Sequence, residues 1–230
     1  METSISVIIP AHNEAQSIGK VLAEIPSFVR EVIVVDNNST DETSEVAKKF
    51  NAKVMYERNL GYGNACLAGM RTLDSNPPEI VVFLDGDYSD YPKEMSKLID
   101  PIKKGVADFV IGARDKSIRE SGSMTLPQVF GNWLACVLMK LLYQSRYTDL
   151  GPFRAIRWET LKSYKMRDRS YGWTIEMQLK SLHHKTPYTE IPVKYRTRIG
   201  RSKISGTIRG TVLAGFKILG WIGKFYFSKK

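Results

Sequence analysis

Over its first 114 residues the chain alternates short, β-branched apolar runs with amphipathic stretches, and each apolar run ends in a polar cluster. The runs at 4–10, 31–36, 52–57, 80–84 and 108–113 fit strands buried on both faces. Helical stretches at about 15–26, from Ser39 or Thr40 as cap to Phe50, up to Leu73, and at 92–104 lie between them. Strands and helices in strict alternation predict an α/β fold built on a mostly parallel sheet flanked by helices.

The chemistry concentrates at residues 80–92, Ile-Val-Val-Phe-Leu-Asp-Gly-Asp-Tyr-Ser-Asp-Tyr-Pro. Five apolar residues run straight into Asp85 and Asp87, which places both acids outside the carboxyl end of a strand, where open α/β sheets bind ligands. With only Gly86 between them, the two carboxylates can converge on one hard cation such as Mg²⁺ or Mn²⁺. The same spacing also suits a turn in which an Asp caps the helix beginning near Pro92. Polar clusters close the other strands too. Ala11-His12-Asn13-Glu14 follows the first, and the second ends at Asp36, an acid placed to hydrogen-bond a ribose or a base. The glycines of Asn59-Leu-Gly-Tyr-Gly-Asn-Ala65 match neither a dinucleotide fingerprint nor a P-loop. The fifth strand delivers Arg114.

Beyond Arg114 the rhythm changes. A polar loop at 115–123 precedes an apolar helix at about 127–143, in which residues 121–139 carry no charge. Pro127, Gln128, Gly131 and Asn132 favour a buried or lipid-touching helix there over a membrane span. A turn and strand at 148–157 and a helix at 173–184 follow. His183 and His184 point about 100° apart on that helix, so they suit solvent better than a shared metal. A last strand at 190–196 leads into Arg198-Ile-Gly-Arg-Ser-Lys203, where cations, a hydroxyl and free backbone donors suit a phosphate. From about Thr207 a helix sets Arg209, Lys217 and Lys224 within about an 80° arc. Val212, Ile218, Leu219, Trp221, Ile222, Phe225 and Tyr226 cover its other side. That pattern fits a helix lying in a membrane interface, with docking on the domain or on a partner as the alternative.

Charge separates the two parts of the chain. Residues 1–150 hold 16 Lys/Arg against 20 Asp/Glu, whereas residues 151–230 hold 18 against 4. A basic C-terminal third implies an anionic partner: a nucleic acid, a membrane surface or a phosphorylated substrate. It contains no aromatic RNA-binding motif and no zinc-finger pattern, so a nucleic-acid partner is not expected. The 230 residues, 43% of them hydrophobic, suffice for one large domain. Two distant cysteines, Cys66 and Cys136, fit no zinc or redox spacing and point to core positions in a reduced, cytosolic setting. The first residues carry no signal-peptide pattern.

Five segments, Val-Ile-Ile-Pro-Ala-His-Asn-Glu, Val-Val-Asp-Asn-Asn-Ser-Thr-Asp, Phe-Leu-Asp-Gly-Asp, Asp149-Leu-Gly-Pro-Phe-Arg and Arg198-Ile-Gly-Arg-Ser-Lys203, occur in order between about residues 4 and 204. Together they resemble the family 2 inverting glycosyltransferases, and among these the dolichyl-phosphate mannosyltransferase type. The resemblance implies a GT-A (Rossmann-like) domain over 1–205, an amphipathic tail over 206–230, a nucleotide-sugar donor and a divalent metal. Pro10, His12 and Glu14 match the family's first nucleotide loop, Asp36 the acid near the base, and Asp85, Gly86 and Asp87 its metal and diphosphate motif. Arg114 matches an arginine near the acceptor phosphate, and Arg198, Ser202 and Lys203 the basic loop over phosphates. Three positions depart from the family pattern. His12 stands where Tyr is usual, Asn37 where a second Asp is common, and Ser89-Asp90-Tyr91-Pro92 where the mannosyltransferases read Gln-His-Pro-Pro.

The expected reaction moves one sugar from a GDP- or UDP-sugar to a polyprenyl or dolichyl phosphate at the cytoplasmic membrane face. A metal on Asp87 would neutralise the leaving diphosphate while the basic loop holds the acceptor for in-line attack. A phosphate acceptor is already ionised and needs no general base. A saccharide hydroxyl, the alternative acceptor, would need one, for which Asp149 and Glu176 are the candidates. The Gln-x-x-Arg-Trp motif of processive synthases is missing, since Arg154 stands where Gln would precede Arg157-Trp158. A sugar-phosphate nucleotidyltransferase would need a glycine-rich loop after the first strand, which Pro10-Ala11-His12-Asn13-Glu14 lacks.

Overall fold

A computed structural model describes residues 3–200 and 208–227, without the side chains of 208–212 and 214. Ser202 and Lys203, and the side chains of Arg209 and Val212, therefore lie outside the described residues. The strands are β1 (Ile5–Ala11), β2 (Glu31–Asp36), β3 (Lys53–Tyr56), β4 (Ile80–Phe83), β5 (Phe109–Ala113), β6 (Arg154–Arg157) and β7 (Tyr188–Pro192). They form one sheet in the order β3-β2-β1-β4-β6-β5-β7. All pairs are parallel except those of β6, which lies antiparallel between β4 and β5.

Period-two alternation within buried strands divides the core between the two faces of the sheet. Ile8, Val81 and Phe83 face α3 (Tyr62–Leu73), α5 (Leu126–Tyr143), α7 (Trp173–His183) and α8 (Ile208–Phe227). Val7, Ile9, Val82 and Leu84 face α1 (Ile18–Ala23), α2 (Thr43–Lys48) and α4 (Met95–Lys103). Cys66 and Cys136 are buried, unpaired core residues, and His183 and His184 are exposed.

Several boundaries differ from the expected ones for local reasons. α1 begins only at Ile18, because Ser17 is buried and turns its hydroxyl back to Glu14. Ser39 and Thr40 do not cap α2; they meet the Asn13 loop, and the helix starts after Glu42 without a side-chain cap. The 92–104 helix opens as a 3₁₀ turn over Pro92–Glu94 before α4. A six-residue helix, α6 (Trp158–Ser163), follows β6 directly and was not expected. The last strand sits earlier than 190–196, since beyond Pro192 the chain leaves the sheet and Tyr195 bridges to Asp90 instead.

The tail helix corrects the interfacial reading in part. α8 packs on α5 and α7, with Ile222 only 2% exposed and Ile218, Trp221 and Phe225 turned toward the same core. Trp221 and Phe225 thus face the domain rather than a headgroup region, because a half-buried indole N–H requires an acceptor and finds one in Asp168 at 2.7 Å. Lys217 joins that carboxylate at 3.2 Å, which removes it from a free basic arc. Leu213, Phe216, Leu219, Tyr226 and Phe227 stay exposed. Among the described residues no helix is long and apolar enough to cross a membrane.

Candidate active site

Parallel β1, β2 and β4 end side by side, so the loops that follow them open onto one rim and enclose a cavity of about 270 Å³. β1 contributes Pro10 and the loop residues His12 and Glu14, and β4 leads into Asp85, Gly86 and Asp87. Asn37, Leu60, Gly61, Tyr62, Tyr171 and Arg198 complete the walls. Of the residues singled out in the sequence, Pro10, His12, Glu14, Asp85, Gly86, Asp87 and Arg198 meet here, although Arg198 lies more than a hundred positions from the rest.

The floor of the cavity is acidic. Asp87 accepts hydrogen bonds on Oδ1 from the Ser89 amide (2.9 Å) and hydroxyl (2.5 Å), leaving Oδ2 to the Arg198 guanidinium at 3.0 Å. The other guanidinium nitrogen donates to Glu14 Oε1 at 3.1 Å, so Arg198 spans two carboxylates at the rim. Asp85 Oδ1 is buried without a hydrogen-bond partner. Burial and the neighbouring Asp87 charge push Asp85 up to about 7, against the pull of Arg198. Asp90 is 1% exposed and accepts the Asp85 amide at 3.2 Å. Burial, Asp85 and Asp87 hold its carboxyl well above the usual carboxylate range.

An orphaned buried carboxylate oxygen beside a second carboxylate is a donor set that fits a hard divalent cation. Among the described residues no cluster of three or more His, Cys, Asp or Glu could hold a metal ion. Asp85 and Asp87 would therefore share such an ion with oxygens of the substrate and water.

The side walls are fixed by short polar contacts. His12 donates from Nδ1 to the Asn37 carbonyl at 2.9 Å. The Asn37 amide donates to the carbonyls of Glu57 (3.0 Å) and Asn59 (2.7 Å) and accepts from the Gly61 amide at 2.8 Å. Asp36 is set back from the cavity: its carboxylate takes the Ser39 amide at 2.9 Å and the Ser44 hydroxyl, and it is Asn37 that lines the wall. The segment carrying Arg198 is stitched to the loop after β4. Arg196 lies between the rings of Tyr88 and Tyr91, pairs with Glu24 at 2.9 Å, and the Ile199 amide donates to the Asp87 carbonyl at 2.9 Å.

Arg114 is placed elsewhere. It lines an adjacent cleft of about 470 Å³ beneath α5, bound to both carboxylate oxygens of Asp149 at 2.7 and 2.8 Å. Burial opposes the charge on Arg114, but Asp149 outweighs it and raises the guanidinium pKa. Lys116, Arg119 and Lys140 share this cleft with Val129, Trp133 and Val137. The two candidate bases are both engaged, Asp149 by Arg114 and Glu176 by Lys180 (2.7 Å) and the amides of Arg167 and Asp168. Glu176 is fully buried beneath the 167–172 segment.

Sequence reasoning left out Tyr62, Tyr171, Asp90 and Arg196. Asp90 had a legible signal, as the third acid within six residues. The other three gave none, because their places depend on loops crossing from distant parts of the chain.

Residues 6–197 match the family described as Glycosyl transferase family 2. An uncharacterized glycosyltransferase of Mycobacterium tuberculosis is 35% identical over 219 residues, covering 92% of this chain and 94% of that protein. The undecaprenyl-phosphate mannosyltransferase of Micrococcus luteus is 26% identical, covering 90% of this chain and 89% of its own. The UDP-N-acetylglucosamine–dolichyl-phosphate N-acetylglucosaminyltransferase of Methanococcus voltae is 28% identical, covering 93% and 92%. Among solved structures, glucosyl-3-phosphoglycerate synthase of M. tuberculosis with Mn²⁺, UDP-glucose and phosphoglyceric acid superposes with a TM-score of 0.78 at 22% identity, covering 97% of this chain and 80% of that one.

Proposed function

The chain belongs to glycosyl transferase family 2 and has its GT-A type fold, and from that premise we propose that it transfers a single sugar from a nucleotide-sugar to a polyprenyl phosphate. The observation that carries the reading is the acidic floor: Asp85 with its unpartnered oxygen, Asp87 beside it, and Arg198 above both. Asp85 and Asp87 would hold Mg²⁺ or Mn²⁺, which when bound neutralises charge on a leaving diphosphate. Pro10, His12, Asn37 and the 60–62 wall would enclose the nucleoside. Asp36 would support it indirectly, by holding the turn on which Asn37 sits. Arg198 and Lys203 would carry positive charge to the phosphates, and Ser202 a hydroxyl donor.

The acceptor assignment draws on the second cleft. Its cations, Arg114, Lys116, Arg119 and Lys140, match a phosphate, while Val129, Trp133 and Val137 match a hydrocarbon chain. Relatives named for undecaprenyl and dolichyl phosphate support the same class. A saccharide hydroxyl would require a free general base near the cavity, and Asp149 and Glu176 are both committed to cations. Exposed Leu126, Phe130 and Trp133 on α5 and Phe216 and Leu219 on α8 would rest on the membrane surface that holds such an acceptor.

The test is transfer from a panel of GDP- and UDP-sugars, with Mn²⁺ or Mg²⁺, to polyprenyl phosphate and to soluble saccharides. We expect transfer to the lipid phosphate alone, and Asp87→Ala to lower it by at least ~100-fold with an unchanged thermal midpoint. Near-normal turnover of the Asp87→Ala protein at saturating donor would sink the metal assignment. Equal transfer to free saccharides would sink the acceptor assignment.

A further inference from the structure

Asp168 sits where three separate parts of the fold meet. It is 2% exposed, and its Oδ1 accepts the amides of Ser170 (2.7 Å) and Gly172 (3.0 Å). Those two bonds bracket Tyr171, which lines the acidic cavity. Its other oxygen is given to α8, taking Trp221 Nε1 at 2.7 Å and Lys217 Nζ at 3.2 Å. The place for Trp221 is built: Gly172 has no side chain, and a Cβ there would strike both the indole and the Asp168 carboxylate.

The same segment braces the opposite wall. The Ser170 carbonyl accepts the Gly63 amide at 3.2 Å and the Arg169 carbonyl accepts the Asn64 amide at 3.1 Å. Gly61 and Gly63 lie so close to the 168–169 backbone that neither could carry a Cβ. Between them stands Tyr62, which lines the same cavity as Asp85. A run of contacts therefore leads from Trp221 through Asp168 to Tyr171 on one side and to the backbone that carries Tyr62 on the other.

We propose that α8 supports the donor site, with Asp168, Trp221 and Lys217 as positioning residues that hold the Tyr171 and Tyr62 walls for the nucleotide-sugar. The proposal rests on reading the cavity as the donor site. It assigns the tail helix a part in catalysis that a membrane tether alone would not have.

Trp221→Phe keeps an aromatic ring but loses the N–H and part of the indole's volume, and Lys217→Met removes the charge while keeping an unbranched stem; a loss of packing alone would register as a uniform rise in exchange across the core. Amide hydrogen exchange, donor and acceptor KM, and calorimetric affinity for UDP and GDP with Mn²⁺ would be compared with the wild-type full chain. The expected result for Trp221→Phe is about tenfold faster exchange at Gly63, Asn64, Ser170 and Gly172, with β1 amides unchanged. Donor KM should rise severalfold while acceptor KM stays, and Lys217→Met should shift the same quantities less. Unchanged exchange at those four amides would overturn the proposal, as would a uniform rise across the core or equal increases in both KM values. Should the wild-type protein bind neither nucleotide, the donor-site reading falls, and the exchange measurement alone decides whether α8 holds this wall.

Discussion

Asp85 shows what a buried carboxyl at the candidate site takes from stability. Its folded-state pKa, pushed up from 3.8 to about 7 by burial and Asp87, means that the folded protein holds a proton the unfolded chain has lost between about pH 4 and 7. Stability therefore falls as pH rises through that window, the sign opposite to that of a salt-bridged acid such as Asp149, whose pKa stays low beside Arg114 despite burial. Asp85→Asn removes the buried charge. In EDTA at pH 8 it should raise the thermal midpoint by on the order of 5 °C, with the gain shrinking as pH falls to 4.5, while transfer is lost. A gain of equal size at both pH values would mean that the substitution acts through packing and not through the charge.

At the scale of single elements, β6 explains most of what the linear pattern hid. It enters antiparallel between β4 and β5, and it brings in Arg154, a fully buried cation. Arg154 donates to the carbonyls of Gly151 (3.0 Å) and Thr174 (3.1 Å), tying the strand to the turn before it and to α7. No carboxylate pairs with it among its hydrogen bonds; peptide dipoles and the Phe109 ring at 5.7 Å compensate the charge. Arg154→Met would leave several buried carbonyls unsatisfied and should destabilise the fold by ~3 kcal/mol or more in urea unfolding. A loss under 1 kcal/mol would show that water or a rearranged backbone can satisfy them. The capping of α5 by Thr125 and Gln128, by contrast, is entirely local and is written in the sequence as Thr-x-x-Gln.

For the molecule as a whole, the membrane contact proposed above has to be assigned to a face. On that proposal the basic C-terminal third would supply attraction to anionic lipid, but α8 spends Trp221, Ile222 and Phe225 on the domain core, leaving fewer exposed apolar residues on α8, with others on α5. Removing the whole tail would uncover core residues and confuse anchoring with folding. A triple substitution of exposed positions, Phe130→Ser, Trp133→Ser and Phe216→Ser, isolates the surface. It should weaken flotation with phosphatidylglycerol vesicles by at least tenfold without changing the thermal midpoint, and wild-type binding should fall as salt rises. Undiminished flotation would move the contact to another face.

Read alone, the sequence determined what depends on neighbours along the chain. Buried strands alternating with amphipathic helices required a sheet covered on both faces, and acids at strand ends had to lie at its carboxyl rim, which brought His12, Glu14, Asp85 and Asp87 together. Arg198 could be tied to that group through the resemblance of five ordered segments. Only the tertiary structure decided what depends on residues far apart: that β6 separates β4 from β5, that Arg114 is held by Asp149 in a second cleft, that Asp36 stands behind Asn37, and that Trp221 turns inward to Asp168. The physical reason is that periodicity records which residues avoid water, while the partner each buried polar group obtains is set by three-dimensional packing. The indole of Trp221 and the acid that receives it are 53 positions apart, beyond the reach of any local pattern.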